Sequence, residues 1–291
     1  MIYTALVTPF QKSGSGVDEN VYSALIEKQI DAGVHAVIVA GSTGEGQTLT
    51  QSEWTTAIKT AVRYRDRIQV LGSCGQSATA QTAERYRELS DLGVHGALIS
   101  TPAYNKPPQR GIVQHYQEVA KAGSLPIMVY NIPGRTAVNI LPSTMKELWK
   151  IPQVTSLKES SGNLEQSFQF IREVPAGKVV LSGDDSMNLA MFSQGAKGSV
   201  SVLSNLLPKS LVKLWKLSEA NEYDKARQLQ NKLMELTSLL FVESNPIPVK
   251  WCVGQLLCQE LPVRLPLVKL DSQYHSALKA ALDSCSQLEM S

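Results

Sequence analysis

The sequence has little of what disulfide frameworks, zinc centres and membrane spans require. Only four cysteines occur in 291 residues, and none forms a CxxC pair, which predicts reduced structural thiols. No stretch approaches 18 uninterrupted apolar residues, so no transmembrane helix is expected. The opening segment, MIYTALVTPF, lacks a basic stretch before an apolar run and is interpreted as a first strand, not a signal peptide. These absences predict a soluble, cytoplasmic protein.

An excess of one charge is also missing. The 28 Lys and Arg against 26 Asp and Glu give a formal net charge of +2, without a basic stripe or an acidic block. Nothing therefore indicates binding to nucleic acid or to a membrane surface. The four histidines are scattered over predicted strand starts and helices: His35, His95, His115 and His275. We expect no metal centre and no bound cofactor, and a metal-dependent aldolase is disfavoured.

What the sequence does contain is an alternation of short apolar runs with amphipathic stretches. Eight runs are predicted strands: Tyr3–Val7, Ala36–Ala40, Ile68–Leu71, Ala97–Ser100, Ile127–Tyr130, Val154–Leu157, Val179–Leu181 and Ser199–Val202. Helical patterns lie between most of them: Asn20–Ala32, Gln51–Tyr64, Ala78–Leu92 and Gly111–Ala122. Eight such units within about 205 residues are what a closed (β/α)₈ TIM barrel requires.

An internal echo supports repeated units. The segment that begins at Asp31 (DAGVHAVIVA) matches the one that begins at Asp91 (DLGVHGALIS) almost position for position, and a weaker copy begins at Gln194. In each strong copy the glycine, Gly33 or Gly93, is predicted to end a helix in the left-handed conformation before the next strand begins. A doubly wound sheet could contain the same units, so this pattern alone leaves that alternative open.

Beyond about Asn205 the pattern is helical only. Leu211–Ala220 is predicted as the closing barrel helix, and the later helical stretches are interrupted by prolines. We therefore predict a catalytic barrel over residues 1–222 and a small C-terminal helical appendix over residues 223–291. The predicted helices of the appendix are Tyr223–Leu240, Ile247–Cys258 and Ser272–Ser286.

Lys158 stands out because it directly follows the predicted sixth strand. Barrel active sites lie at the C-terminal ends of strands, whereas most other lysines here lie on amphipathic helices, where the ammonium can reach water. Desolvation favours the neutral amine, which can add to a ketone and form a Schiff base. The alternative is a structural lysine that pairs with a carboxylate, such as Glu159 or Asp184.

Hydroxyl groups at other strand ends favour the catalytic interpretation. Tyr130 ends the fifth strand and can exchange a proton with a carbinolamine, while Thr43 and Tyr104 could relay that proton. The turn around Thr43, Gly41-Ser-Thr-Gly-Glu, offers backbone N–H groups to a carboxylate or phosphate. It lacks the Walker lysine and the GxGxxG spacing, so a nucleotide is disfavoured. Arg135 could bind a second carboxylate, or it could form a surface ion pair.

Five motifs in order resemble the dihydrodipicolinate synthase and N-acetylneuraminate lyase superfamily of pyruvate-dependent aldolases. Each is only moderately specific, but together, at these spacings, they are a strong signal. They are TALVTPF from Thr4, GSTGE from Gly41, TPAYNKP from Thr101, YNIPGRT from Tyr130 and KESSGNL from Lys158. The resemblance runs from Ile2 to about Asn205.

The resemblance implies a role for each site residue. Lys158 would form the Schiff base with pyruvate, and Tyr130 would be the general acid and base, linked through Thr43 to Tyr104. The tyrosine would come from the neighbouring subunit, which implies at least a dimer and commonly a tetramer. Ser42 and Thr43 would hold the pyruvate carboxylate, and Val200 would line the pocket through its backbone.

Two further features resemble the synthase branch. Arg135 and the Ser182-Gly183-Asp184-Asp185 turn imply condensation of pyruvate with L-aspartate-4-semialdehyde in the diaminopimelate and lysine pathway, with Gly183 at the substrate. The two aspartates are expected to order this turn through backbone hydrogen bonds, and the alternative is a pair of cation ligands. The alternatives are an aldolase acting on N-acetylneuraminate or on a 2-keto-3-deoxy sugar acid, and a non-catalytic barrel that binds a carboxylate.

One departure concerns feedback by lysine. Ala103, Ser77 and Gln81 stand where lysine-inhibited synthases tend to have an aromatic residue, Asn and Glu. A cationic effector would lose a carboxylate and an aromatic wall there. Weak or absent inhibition by lysine is therefore predicted.

Overall fold

A computed structural model describes residues 1–12 and 14–290 of the chain. The strands of these residues form a closed parallel barrel in chain order, which confirms the predicted fold. They are β1 (Ile2–Ala5), β2 (Ala36–Val39), β3 (Gln69–Ser73), β4 (Gly96–Ser100), β5 (Ile127–Asn131), β6 (Val154–Glu159), β7 (Val179–Ser182) and β8 (Ser199–Ser201).

Helices follow the strands and then continue alone to the C-terminus. Those between the first and last strands are α1 (Glu19–Asp31), α2 (Gln51–Val62), α3 (Thr79–Leu92), α4 (Gln109–Ala120), α5 (Pro133–Thr136), α6 (Pro142–Leu148), α7 (Leu164–Glu173) and α8 (Asn188–Ser193). After β8 come α9 (Pro208–Glu219), α10 (Tyr223–Leu239), α11 (Ile247–Leu257) and α12 (His275–Met290). The helices predicted after the barrel are all confirmed, with ends that shift by a few residues.

The predicted strands differ from the observed ones by no more than two residues at either end. The strands are walled on both faces, as parallel strands require, and β2 and β5 are buried along their whole length. One shift matters for function. Because β6 continues to Glu159, Lys158 lies inside the strand and is not merely the residue that follows it.

The two repeated sequence segments, which begin at Asp31 and Asp91, also have the same local structure. Gly33 and Gly93 have φ angles of 74° and 81°, which confirms the left-handed helix stops. His35, two residues after the first glycine, bonds reciprocally with Ile2: its backbone N–H donates to the Ile2 carbonyl, and its Nδ1 accepts from the Ile2 N–H. His95 makes the same pair of bonds with Val70. These histidines therefore align strand starts, as their position before the strands predicts.

The chain divides into two compact units. One comprises Met1–Gln69 and Ser201–Ser291, and the other comprises Val70–Val200. In the first unit, α10 packs against both α9 and α12, so the C-terminal helices share contacts with a helix of the predicted barrel. The boundary at residue 222 stays a prediction.

Two predictions from composition concern cysteine and membrane spans. All four cysteines are free thiols, and only Cys258 is exposed, which confirms the prediction of reduced thiols. Among the described helices, none is both long enough and apolar enough to cross a bilayer.

Candidate active site

Lys158 and Tyr130 are brought together by the register of two neighbouring strands. They are direct partners in the pairing of β5 with β6, so their side chains leave the sheet on the same face. Lys158 Nζ lies 4.2 Å from the centroid of the Tyr130 ring. Only 5% of Lys158 and 6% of Tyr130 is exposed. The structure therefore places an amine beside a phenol in a nearly dry environment.

The alternative for Lys158, an ion pair with a neighbouring carboxylate, does not occur. Among the described residues, no carboxylate lies within 4 Å of Lys158 Nζ. Glu159 points elsewhere: it accepts hydrogen bonds from Asn131 Nδ2 at 2.8 Å and from the Ser161 N–H at 2.9 Å. Burial raises the pKa of the Glu159 carboxyl, although these bonds oppose the shift. Asp184 accepts its hydrogen bonds within its own turn.

Gly183 begins the turn after β7 and lies against the lysine. A Cβ atom added to it would lie 3.0 Å from Lys158 Cε and 1.9 Å from Ser160 Oγ. Its backbone N–H donates to the Glu159 carbonyl at 2.7 Å. Only glycine allows the turn to approach the lysine this closely. Asp184 accepts a hydrogen bond from the backbone N–H of Ser186, as predicted, whereas Asp185 accepts one from the side-chain amide of Asn188.

Tyr104, Arg135 and Val200 lie in the same unit as Lys158 but in different surroundings. Val200 is a buried residue of β8. Arg135 is exposed on the single turn of α5, directly after β5. Tyr104 is 93% exposed, the most exposed of the large apolar side chains described. The structure therefore does not bring Tyr104 to Lys158 within one chain.

The exposed position of Tyr104 is held by its neighbours. Its φ angle is 74°, a left-handed conformation that costs a non-glycine residue about 1 kcal/mol or more. Ser77 Oγ donates to the Ala103 carbonyl at 2.9 Å, and Asn105 Nδ2 donates to the Ser77 carbonyl at 2.8 Å. These bonds fix the residues on both sides of the tyrosine and so define its backbone.

Thr43 and Ser42 belong to the other unit, in the turn after β2. Thr43 is 3% exposed, and its Oγ1 accepts a 2.9 Å hydrogen bond from Asn245 Nδ2. Thr8 Oγ1 donates to the Gly44 carbonyl at 2.7 Å, which ties the turn to the chain after β1. Within the turn, the backbone N–H groups of Glu45 and Gly46 donate to the Ser42 and Gly41 carbonyls. The anion site predicted for this turn stays a prediction.

Glu45 anchors this turn from within, a role that the sequence reasoning missed. Its Oε1 accepts a hydrogen bond from Lys250 Nζ at 2.6 Å, and its Oε2 accepts one from the backbone N–H of Arg264 at 2.9 Å. Glu45 has a φ angle of 51°, and a Cβ on the next residue, Gly46, would lie 1.9 Å from the Ala40 carbonyl oxygen. The ion pair and the glycine therefore stabilise a strained backbone.

Lys250 departs from the expectation that helical lysines reach water. It lies on α11 and is 0% exposed, so it is as buried as any lysine in the described chain. Its Nζ also donates to the Pro262 carbonyl and lies 4.2 Å from the Phe10 ring centroid. Burial lowers the pKa of Lys250 to about 8, although the Glu45 carboxylate favours the charged form. Two lysines are therefore buried in the described part of the chain, Lys250 with a carboxylate partner and Lys158 without one.

This geometry can be compared with known proteins. The profile of the dihydrodipicolinate synthetase family matches residues 1–285. The chain belongs to this family. Its match covers nearly the whole chain, beyond the segment near Asn205 at which the motif resemblance ended, so the C-terminal helices are part of the family fold.

Relatives and solved structures agree with the family assignment. The 4-hydroxy-tetrahydrodipicolinate synthases of Cellvibrio japonicus and Exiguobacterium sibiricum are 36% and 40% identical, over 96% and 97% of this chain and 96% of each relative. A dihydrodipicolinate synthase structure from Acinetobacter baumannii, complexed with pyruvate, has a TM-score of 0.94 at 36% identity and 97% coverage of both chains. The family fold is therefore shared over nearly the whole chain.

Proposed function

We propose that this family member is a lyase that condenses pyruvate with L-aspartate-4-semialdehyde to give 4-hydroxy-tetrahydrodipicolinate, in the diaminopimelate and lysine pathway. The observation that carries the proposal is the buried amine of Lys158, opposite Tyr130 and without a carboxylate partner. The names of the relatives favour the synthase over an aldolase of N-acetylneuraminate or a 2-keto-3-deoxy sugar acid. A cytoplasmic location is part of the same proposal.

Lys158 is the proposed nucleophile. Its Nζ adds to the keto carbon of pyruvate, water leaves, and the resulting Schiff base loses a methyl proton to form an enamine. The enamine carbon then bonds to the aldehyde carbon of the second substrate, and the aldehyde oxygen takes up a proton to become a hydroxyl group. The amino group of the same substrate then displaces Lys158 Nζ from the imine carbon, which closes the ring of the product and frees the lysine amine. Low exposure of Lys158 supports this role because a site that excludes water limits hydrolysis of the imine.

Tyr130 is the proposed acid and base for these proton transfers. Its ring centroid lies 4.2 Å from Lys158 Nζ, so the tyrosine is a neighbour of the amine that attacks pyruvate. The family resemblance assigns Thr43 and Tyr104 to a relay that restores the proton of Tyr130. A phenol that both gives and accepts a proton requires such a relay.

Two regions of the protein are proposed to bind the carboxylate groups of the two substrates. Ser42 and Thr43, with the backbone amides of their turn, hold the carboxylate of pyruvate. Arg135, exposed directly after β5, binds the carboxylate of aspartate semialdehyde in bidentate fashion. Gly183 and Val200 are proposed to contact the substrates through their backbone atoms. For Gly183 this role agrees with the close approach of its backbone to Lys158.

Tyr104 is proposed to act in a neighbouring subunit. An aromatic side chain that is 93% exposed on a strained, hydrogen-bonded loop suits insertion into another subunit better than a role in its own. The active form is therefore at least a dimer, with a homotetramer of two dimers as the proposed assembly. One similar solved structure, at 33% identity, is a monomeric dihydrodipicolinate synthase variant, so the oligomeric state of this chain must be measured.

Borohydride reduction in the presence of pyruvate tests the proposal. Reduction traps the imine, and peptide mapping should locate the adduct on Lys158. Lys250 is the internal control, because it is also buried but its ammonium is bound to Glu45. An adduct on Lys250, or no adduct at all, would overturn the mechanism. Arg135→Ala should raise the KM for aspartate semialdehyde while trapping with pyruvate remains intact.

A further inference from the structure

Asn245 links the C-terminal helical region to a single hydroxyl in the turn after β2. Its Nδ2 donates to Thr43 Oγ1 at 2.9 Å, and both residues are buried, with 6% and 3% of their surface exposed. The two residues are 202 positions apart in the chain but belong to the same compact unit. The contact is therefore a long-range constraint on one side chain.

Further hydrogen bonds hold the chain on both sides of the contact between Asn245 and Thr43. Asn245 directly precedes the residues that open α11, and Lys250 of that helix is bound to Glu45, two residues after Thr43. The backbone N–H of Arg264 holds the second oxygen of Glu45. Two separate bonds from the C-terminal region thus fix the turn backbone at Glu45, and the Asn245 amide fixes the Thr43 side chain.

The direction of the hydrogen bond decides what the hydroxyl can do. A threonine hydroxyl has one proton to donate and two lone pairs to accept with. Because the Asn245 amide donates, it occupies one lone pair and leaves the proton of Thr43 available for another acceptor. An acceptor at position 245 would do the opposite, since it would take the proton of Thr43 for itself.

We propose that Asn245 is a positioning residue for the reaction: its amide orients the Thr43 hydroxyl as a proton donor and fixes its rotamer. This inference rests on the proposed function, in which Thr43 relays a proton to or from Tyr130. Asn245 acts only through Thr43 and does not itself touch the reacting atoms. Its loss should therefore affect turnover more than pyruvate binding.

Two substitutions of Asn245 separate orientation from packing. Asn245→Asp keeps the shape but replaces the donor with an acceptor, and kcat should fall on the order of 10²-fold. Asn245→Ala should cost about tenfold, because the hydroxyl is freed but not reversed. In both variants the KM for pyruvate should stay within about threefold, because backbone amides hold the carboxylate. The ratio of the Asn245→Asp rate to the wild-type rate should rise toward acidic pH, where a protonated carboxyl can donate.

Gln29→Glu is the matched control. Gln29 and Thr4 form a buried amide–hydroxyl pair of the opposite direction in the same unit: Thr4 Oγ1 donates to Gln29 Oε1 at 2.7 Å, away from the turn after β2. The substitution therefore buries a carboxylate beside a threonine hydroxyl that has no part in the proposed relay. The control variant should lose stability without a comparable loss of kcat, and its rate ratio should not depend on pH. Equal losses of kcat in Gln29→Glu and Asn245→Asp would overturn the inference, since both would then reflect stability alone.

A double-mutant cycle completes the test. If Asn245 acts through Thr43, then Thr43→Val combined with Asn245→Ala should be no slower than Thr43→Val alone. Multiplied losses would overturn the inference, as would an Asn245→Ala variant with wild-type kcat or with only a raised KM. Trapping of pyruvate on Lys158 of the wild type is measured alongside. Normal trapping with an unaffected Asn245→Ala variant refutes the positioning role and leaves the proposed function intact, whereas absent trapping refutes the proposed function.

Discussion

Lys250 Nζ and Glu45 Oε1 lie 2.6 Å apart, with side-chain exposures of 0% and 1%. Removing one partner of such a pair leaves an uncompensated buried charge. We expect Lys250→Met to lower the free energy of unfolding by about 3–5 kcal/mol, measured by urea denaturation. Loss of this pair should also release the strained turn that carries Thr43, so activity should be lost at lower urea concentrations than in the wild type.

Two comparison variants show whether burial is the cause. Lys150→Met removes a lysine of an exposed pair with Glu147, at 69% and 50% exposure, and should change stability by less than about 1 kcal/mol. Adding Glu45→Gln to Lys250→Met should recover much of the loss, because the unpaired charge disappears. If Lys250→Met and Lys150→Met lower the free energy of unfolding equally, then burial does not make the pair of Lys250 with Glu45 more important than an exposed pair.

Gly183→Ala should damage catalysis because the added methyl group has no room. Its Cβ would meet Ser160 Oγ at 1.9 Å and Lys158 Cε at 3.0 Å, so the lysine or the turn must move. A displacement of this size should lower kcat on the order of 10²-fold, measured together with the rate of pyruvate trapping. Adding Ser160→Ala removes the closest atom and should restore part of the rate.

Gly111→Ala is the control for the glycine effect itself. Gly111 lies in α4, and its added Cβ would meet nothing closer than 3.4 Å, an ordinary contact. This variant should keep its kcat, and its helix should gain up to about 1 kcal/mol of stability. If both alanine variants keep the wild-type rate, then Gly183 does not limit the geometry at Lys158.

The buried His115 should make the folded protein less stable as the pH falls below neutrality. It is 3% exposed, with its Nδ1 3.0 Å from Thr79 Oγ1, and burial lowers its pKa to about 4 from the usual 6.5. As the pH falls from 6.5 toward 4, the unfolded chain binds a proton that the folded chain does not bind. The free energy of unfolding should therefore fall by roughly 3 kcal/mol over this range from this residue alone.

A variant that cannot titrate isolates the histidine. His115→Gln retains an amide that can bond to Thr79 but binds no proton near neutral pH. The difference in unfolding free energy between wild type and variant should shrink or reverse between pH 7 and pH 4.5. Parallel stability curves for the two proteins would contradict the assignment.

The barrel and the strand position of Lys158 were predictable because they depend on local patterns. Short apolar runs with regular helical patterns between them predict the strands, and the left-handed stops at Gly33 and Gly93 follow from the residue type. Strand position alone left Lys158 with an ion-pair alternative. The structure removes that alternative by turning Glu159 toward Asn131.

The anchors of the Thr43 turn were not predictable in this way. Lys250 lies on a helix as most lysines here do, and nothing in its neighbourhood in the chain shows that Glu45, 205 residues earlier, is its partner. Asn245 is likewise a polar residue before a proline, which by itself predicts only a turn. Long-range pairs of polar side chains carry no periodicity, so a single sequence does not reveal them.

Lysine should be a weak inhibitor of this protein. Ser77 uses its hydroxyl to hold the Ala103 carbonyl, and Gln81 is exposed and uncharged. A cationic effector finds neither a carboxylate nor an aromatic wall at these positions. Gln81→Glu combined with Ala103→Tyr should increase inhibition by lysine in a turnover assay. Inhibition of the wild type at micromolar lysine would contradict this prediction.

The proposed role of Tyr104 in the neighbouring subunit predicts complementation between two inactive variants. Tyr104→Phe and Lys158→Ala should each have little activity as pure proteins. If Tyr104 serves the neighbouring subunit, a mixed dimer contains one intact site, with lysine from one chain and tyrosine from the other. Dissociating and reassembling equal amounts at random should restore about a quarter of the wild-type activity. Mixing without dissociation is the control and should restore none. A reassembled mixture with no activity above that of its parents would place Tyr104 in its own subunit's site or outside the relay.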